Sequence, residues 1–341
     1  MTVTFVRHMT LAAALICAMS ARAADQAMID AAKREGRVTW YTTQIVNQVI
    51  RPIASQFEAK YGVKVDYVRA DATDIALRVV NENRGGQHIV DVIDGTQTAG
   101  LKKQGLLLKW QPEAISRFPK DFADPEGYWI ATNLYIITPG FNTELVPKGS
   151  EPRSWQDLLD PKWKGRMAWK DGASIAASGG FVGLAIAEMG EEKARAYLAQ
   201  LAKQSIAPLG VGARQVMDQV VAGEYAIALQ IFNNHAVISA QQGAPSAWIP
   251  MNPAMGVFSI STISAKAPHP NAAKLLIEFL ISDDGQAIMR DADYIPVAPN
   301  VPPRVASLRP DGDKFRSIYF TPEYVESHIQ DWQKIWAALA R

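Results

Sequence analysis

The stretch that decides the fold is Pro270–Val297, PNAAKLLIEFLISDDGQAIMRDADYIPV. Asn271 stands where a helix N-cap would, and Ala272, Leu275, Leu276, Phe279 and Leu280 recur at the i, i+3, i+4 spacing of one buried helical face. Lys274 and Glu278 face outward on the same helix, and a second short helix is expected from Asp284 to about Arg290. Upstream lies a second distinctive run, Pro152–Gly165, PRSWQDLLDPKWKG. There Ser154 can cap a short helix over Trp155–Leu159, Asp157 takes the capping-box position, and Pro161 ends it.

Between and before these runs the chain alternates helical and extended patterns. Gln26–Glu35 reads as a helix stopped at Gly36, followed by a strand over Arg37–Thr42 (RVTWYT). Val46–Tyr61 reads as a helix ended by Gly62, Val63–Arg69 as a strand and Asp74–Asn83 as a helix. A short buried strand over Ile89–Ile93 and a helix over Thr98–Gln104 follow. Tyr128–Asn142 is rich in strand-forming residues. A second series comprises a strand at Arg166–Trp169, helices at Phe181–Met189, Glu192–Lys203 and Arg214–Ala222, and a strand at Tyr225–Ile231. Gly256–Ile263 would be a returning strand. Such alternation argues for a mainly parallel sheet with helices on both faces.

The first residues have the form of a secretory signal: Arg7, an apolar run over Leu11–Met19, and Ala21-Arg22-Ala23 as a cleavage site before Ala24. The apolar run is shorter than the roughly 20 residues that span a bilayer, so no membrane anchor is expected. The only cysteine, Cys17, lies within that signal, which excludes disulfides, thiolate metal sites and cysteine nucleophiles from the mature chain. Removing Arg7 and Arg22 leaves 33 basic against 34 acidic residues, a charge of −1 from a full-length +1. No basic field suggests nucleic acid or a membrane surface as partner.

The runs at 270–297 and 152–165, together with residues 223–234, closely resemble the bacterial extracellular solute-binding proteins, the periplasmic receptors of ABC importers, and in particular the subgroup that includes the ferric-iron-binding proteins. The resemblance covers nearly the whole mature chain. It implies a type II-like periplasmic binding fold, two α/β lobes joined by two hinge strands. The expected division is 1–23 signal peptide, 24–133 first lobe, 134–257 second lobe, and 258–341 return to the first lobe with C-terminal helices. It also implies a monomeric, non-enzymatic periplasmic protein that hands a small solute to an inner-membrane ABC permease and carries no cofactor.

In open α/β sheets ligands sit at the carboxyl ends of strands. That rule selects Tyr41, Thr42, Thr43 and Gln44 after the first strand, Asp71 and Thr73 after the second, and Asp94, Gly95 and Thr96 after the third. In the second lobe it selects Gly172 and Ser174, Arg214 at a helix start, and Asn233, Asn234 and His235. Arg214 can supply a bidentate donor beside a helix N-terminus for phosphate, phosphonate or carboxylate, or it can pair with Asp218 one turn on. Tyr41 can equally be core packing.

Similar proteins that carry ferric iron place adjacent tyrosines after the Asn-Asn pair, where this chain has His235-Ala236, and a histidine after the first strand, where it has Thr42-Thr43-Gln44. Iron is therefore not the leading expectation, and no metal ligand is assigned. A small anion or zwitterion is expected instead: a phosphonate, sugar phosphate or organic acid. The alternatives are a ferric or other cation receptor of the same fold, a sensory receptor and a periplasmic hydrolase. No G-x-S-x-G, H-E-x-x-H, Walker A or complete G-x-G-x-x-G run is present.

Overall fold

The computed structural model describes residues 26–95, 98–310 and 315–340. The expected signal segment with its cleavage site, and Thr96, lie outside them. Helix α1 occupies 26–35 and leads into β1 (Arg37–Thr42). Next come α2 (Arg51–Tyr61), β2 (Lys64–Arg69), α3 (Ala72–Arg84), β3 (Val92–Gly95) and α4 (Ala99–Lys103). The long strand β4 (Ile130–Asn142) carries the chain into a second series: β5 (Met167–Lys170), α5 (Ser178–Met189), α6 (Glu191–Leu201) and β6 (Ala207–Leu209). That series continues with α7 (Ala213–Val221), β7 (Ile227–Phe232), α8 (Asn233–Gln241) and β8 (Ser246–Trp248). Strand β9 (Ala254–Ile263) brings the chain back to α9 (Pro270–Ile281), α10 (Asp283–Asp291), β10 (Ile295–Pro296), β11 (Ser317–Phe320) and α11 (Pro322–Leu339).

The strands run β2-β1-β3-β9-β4-β7-β5-β6 across the sheet. Pairing is parallel among β2, β1 and β3 and again among β7, β5 and β6. It is antiparallel at β3–β9, β9–β4 and β4–β7, because β4 leaves the first half and β9 returns to it. The fold is thus two parallel α/β lobes joined by an antiparallel pair of crossing strands. Leu134 and Ile136 on β4 and Phe258 and Ile260 on β9 belong to the core of the first lobe. Ile137 and Phe141, and Met255 and Val257, belong to that of the second. Smaller apolar clusters around Ile75 and Val79, and around Val216 and Val220, show that other helices cover further sheet surface.

Several elements differ from expectation for local reasons. Helix α9 buries its five periodic apolar residues, but its N-terminus is capped from outside. Glu35 at the end of α1 accepts from the backbone N–H of Asn271 (3.2 Å) and Ala272 (2.7 Å) and from the Asn271 amide. The Val46–Tyr61 run splits into one π turn over Val46–Ile50 and α2, because Pro52 lacks an N–H and is accommodated in the first turn of an α-helix. Strand β3 begins at Val92 rather than Ile89, since Asp91 takes the N–H groups of Thr39 and His269, each at 2.7 Å, and ties β1 to the approach of α9. The Ser154–Asp157 box forms as a 3₁₀ turn over Gln156–Leu159.

The last part of the chain touches both lobes: Val301, Leu308 and Phe315 lie in the core of the first. Asn233 donates to the Leu308 carbonyl at 2.9 Å, and Arg304 bonds both Asp293 and Gln241. Helix α11 lays Ile329, Trp332 and Trp336 into the core of the second lobe. Its first turns bond the first lobe, through Glu323 to the Trp129 indole (3.0 Å) and Glu326 to Lys103 (3.0 Å).

Candidate ligand site at the strand ends

Strands β1 and β3 lie side by side and parallel, which brings their carboxyl ends together. Thr42 Oγ1 donates to Asp94 Oδ2 at 2.9 Å, and Thr43 Oγ1 donates to Asp94 Oδ1 at 3.1 Å. Gly95 follows with φ +152°, and a Cβ there would lie 3.4 Å from Thr43 Cγ2 and 3.5 Å from Ala72 Cβ. The chain passes close against both neighbours at this point. Asp94 is only 1 % exposed, and burial pushes its carboxyl up to about 6 against the lowering effect of the hydroxyl bonds.

The crossing strands supply the floor. Gln44 Nε2 donates to Asn133 Oδ1 on β4 (2.9 Å) and to Ser259 Oγ on β9 (3.1 Å), and Ser259 in turn donates to Asp94 Oδ1 (3.4 Å). Ser259 has one proton, directed to Asp94, so it must accept from Gln44. That fixes the Gln44 amide and leaves its buried Oε1 without a partner, as is Asn133 Nδ2. Beside this floor Tyr135 packs on Phe232 (centroids 4.9 Å apart) and on Tyr294 (5.6 Å), joining elements of both lobes. Burial and the mutual influence of the two phenols drive Tyr135 well above its ordinary range, and burial pushes Tyr294 up to about 12. Both phenols are protonated at neutral pH.

In the second lobe, the N-terminus of α8 presents Asn234 and His235. Asn234 Oδ1 and His235 Nδ1 are buried without partners. Burial first, and the nearby Arg214 second, push His235 down to about 4, so its imidazole is neutral at pH 7. Its ring lies 5.2 Å from Phe232, edge to face. Arg214 itself pairs with Asp218 (2.9 Å) and donates to the His235 carbonyl (3.2 Å) and Ser239 Oγ (2.9 Å). Its guanidinium holds α7 against α8. Ser174 reaches the space between lobes differently. It lines a cavity of about 530 Å³ with Leu77 and Leu101 of the first lobe, Val257 and Phe258 of β9, and Ile329 of α11.

The remaining expected residues are dispersed. Tyr41 is fully buried, donates to Glu82 at 2.9 Å and lies under Arg78, so its ring faces the α3 side of the sheet. Asp71 is an exposed partner of Arg69 (3.3 Å), and Thr73 is exposed on α3. Gly172 turns the β5–α5 loop with φ +124° and accepts from the N–H groups of Ser174 and Gly179, while the Asn233 amide is engaged by Leu308. Ser178, in the same loop region, donates to Asp171 Oδ1 at 2.6 Å.

Asn133, Tyr135, Ser259 and Tyr294 were not among the residues singled out from the sequence. A signal for the first and third exists: an amide and hydroxyls interrupt the otherwise apolar crossing strands IATNLYII and MGVFSIST. Gln44 Oε1, Asn133 Nδ2, Thr98 Oγ1, Asn234 Oδ1 and His235 Nδ1 are buried polar atoms lacking partners, and all belong to strand-end or crossing-strand positions. Other unpartnered buried atoms, among them the indoles of Trp155, Trp163 and Trp169, lie elsewhere, but buried polar atoms ordinarily find partners, and those at the strand ends and crossing strands can hydrogen-bond a polar solute. Among the described residues no group of three or more His, Cys, Asp or Glu side chains is placed to hold a metal ion.

The family model described as bacterial extracellular solute-binding protein matches residues 89–320. Iron uptake protein A1 of Synechocystis sp. is 24% identical over 298 residues, covering 82% of this chain and 80% of that protein. A putative 2-aminoethylphosphonate-binding periplasmic protein of Salmonella paratyphi A is 23% identical over 321 residues, covering 90% and 86%. Among solved structures, the periplasmic binding protein AfuA of Actinobacillus pleuropneumoniae, determined with fructose-6-phosphate bound, superimposes with a TM-score of 0.72 at 24% identity, covering 89% of this chain and 98% of that one.

Proposed function

The chain belongs to the bacterial extracellular solute-binding proteins, and from that premise we propose that it is the periplasmic binding component of an ABC import system. It closes two lobes on a small anionic or zwitterionic solute and delivers it to an inner-membrane permease. The lobes meet near residues 134 and 258, and the protein acts as a soluble monomer released by cleavage after Ala23. Among the described residues no helix is long and apolar enough to cross a membrane. The observation that carries this reading is the buried polar floor in which Gln44 and Asp94 of the strand ends meet Asn133 and Ser259 of the crossing strands, with Gln44 Oε1 and Asn133 Nδ2 left unpartnered. A solute that satisfies donors and acceptors on both sides stabilises the closed state by its differential affinity for that state.

The residues we assign to the solute are Thr43, Gln44, Asp94, Gly95 and Thr96 from the first lobe, and Ser174, Asn234 and His235 from the second. Asn133, Tyr135 and Ser259 come from the crossing strands. Thr42 orients Asp94, and Arg214 and Asn233 hold the first turn of α8 in place. A ferric reading would draw on Tyr135, Tyr294 and Asp94, whose phenol and carboxylate oxygens suit a hard cation. Burial holds both phenols protonated, so iron would have to expel those protons.

The test is thermal unfolding of the purified protein, first unfolded and refolded to strip carried-over solute. The panel contains phosphonates, sugar phosphates, organic acids, thiamine, polyamines and ferric salts. A ligand at about a thousandfold over its dissociation constant adds about 4 kcal/mol. Stabilisation by anions or zwitterions supports the assignment; stabilisation by ferric salts alone replaces it with the iron reading.

A further inference from the structure

Asp94 is a buried carboxylate, and no cation lies beside it among the described residues. Among the described residues no ion pair reaches it, and its undescribed neighbours Thr96 and Gln97 carry no charge. Arg69, the basic side chain whose charge reaches the adjacent Tyr294, is paired with Asp71 at 3.3 Å. A buried charge is ordinarily neutralised by a partner of opposite sign, and hydroxyl bonds are a weaker substitute.

The two carboxylate oxygens are held unequally. Oδ2 takes the 2.9 Å bond from Thr42. Oδ1 has long contacts, with Thr43 Oγ1 at 3.1 Å, Ser259 Oγ at 3.4 Å and Thr43 N–H at 3.5 Å, and the Gln44 side chain also bonds the carboxylate. Hydroxyl bonds to an ionised carboxylate normally close to about 2.5–2.7 Å, so Oδ1 retains capacity for a stronger donor. Gln44, linked to Asp94 through Ser259, carries an unpartnered acceptor, Oε1. Tyr135 and Tyr294 both feel the charge of Asp94, and with Phe232 they form an aromatic wall of the kind that accommodates a cation.

We propose that this corner is an ammonium subsite: the solute carries a primary amine whose –NH₃⁺ lies against Asp94 Oδ1 and Gln44 Oε1, beside the Tyr135 ring. This rests on the reading that the strand ends bind the solute, and it goes further by fixing the charge of one end. The solute is then an amine-bearing compound, a zwitterion if its other end is the anion proposed above. An ammonium supplies three donors, which matches a site with one under-bonded carboxylate oxygen and one unpartnered amide oxygen.

The experiment uses pairs of probes that differ only in the amine: 2-aminoethylphosphonate against ethylphosphonate, glucosamine 6-phosphate against glucose 6-phosphate, and putrescine against 1,4-butanediol. Dissociation constants are measured by calorimetry on the stripped wild type and on Asp94→Asn. In the wild type at least one amine member should bind about 10- to 100-fold tighter than its partner, the range for a charge-assisted hydrogen bond. In Asp94→Asn that ratio should fall towards one, whatever the absolute affinities. Should the variant not fold, the wild-type ratios alone decide.

Phosphonates or sugar phosphates that bind equally with and without the amine would overturn the ammonium subsite and leave the anion reading standing. Tight putrescine binding with no phosphorylated probe bound would keep the subsite and remove the anion reading. Binding of none of the six would overturn both.

Discussion

At the scale of single residues, Asp94 links the stability of the empty protein to the site proposed for the solute. Its carboxyl sits at about 6 in the fold, whereas an unfolded aspartate titrates near 4. The folded state therefore binds the proton more tightly. The stability this confers is complete below about pH 4 and is lost as pH rises through 6, a change of roughly 3 kcal/mol. The titratable or charged groups facing it, Tyr135, Tyr294 and, through Tyr294, Arg69, do not change charge in that window. Urea unfolding of the stripped protein should give a wild-type curve that falls relative to Asp94→Asn between pH 4 and 7. Parallel curves would show that Asp94 is not a charged, buried group.

His235 acts in the opposite sense. Held near 4, it resists protonation when folded, so its contribution is present above about pH 6.5 and is lost as pH falls through 4. His235→Gln should reduce the acid sensitivity of unfolding. Arg214 shows why such roles could not be read in one dimension. The sequence offered both an anion donor and a partner for Asp218, and only the packing of α7 on α8 shows its guanidinium shared among Asp218, Ser239 and the His235 carbonyl.

At the scale of elements, the helices were legible where their apolar spacing and stops were strong. Helix α9 lies where its periodic face places it, and α10 is capped by Ser282, whose hydroxyl accepts the Gly285 N–H. The cap of α9 was not legible, because Glu35 lies 236 residues from Asn271 and meets it only in the folded lobe. Glu35→Ala should cost about 1 kcal/mol, the scale of a lost N-cap, measured by urea unfolding. Helix α11 depends on an equally distant match. A Cβ on Gly183 of α5 would lie 2.5 Å from the Trp332 ring, so a glycine here lets the two helices approach. Gly183→Ala should destabilise by about 1–3 kcal/mol through overpacking, and a shift in tryptophan emission would report displacement of α11.

At the scale of the whole molecule, closure of two lobes is the proposed event, and α11 spans them. Its Trp332 and Trp336 are fixed in the second lobe while Glu323 and Glu326 bond Trp129 and Lys103 of the first. A hinge motion must carry this helix with one lobe and strain or remake its bonds to the other. Small-angle scattering should show a smaller radius of gyration on addition of a stabilising solute, and an unchanged radius would argue against closure.

The sequence by itself determined the alternation of strands and helices and the two lobes with their crossing strands, and it pointed to the strand-end loops that the proposed function uses. Those features follow from local periodicity, turn residues and motif order, which any segment carries within itself. Only the tertiary structure decided which strand-end side chains face the space between lobes. Tyr41 and Thr42 are adjacent in sequence, yet one is bonded to Glu82 behind the sheet and the other to Asp94 at the site, because neighbouring strand residues point to opposite faces. Gln44, Asn133 and Ser259, separated by as many as 215 residues, become one hydrogen-bonded floor only when β9 and β4 take their places beside β3 and β1 in the sheet. Long-range hydrogen bonds between buried polar groups are set by that packing.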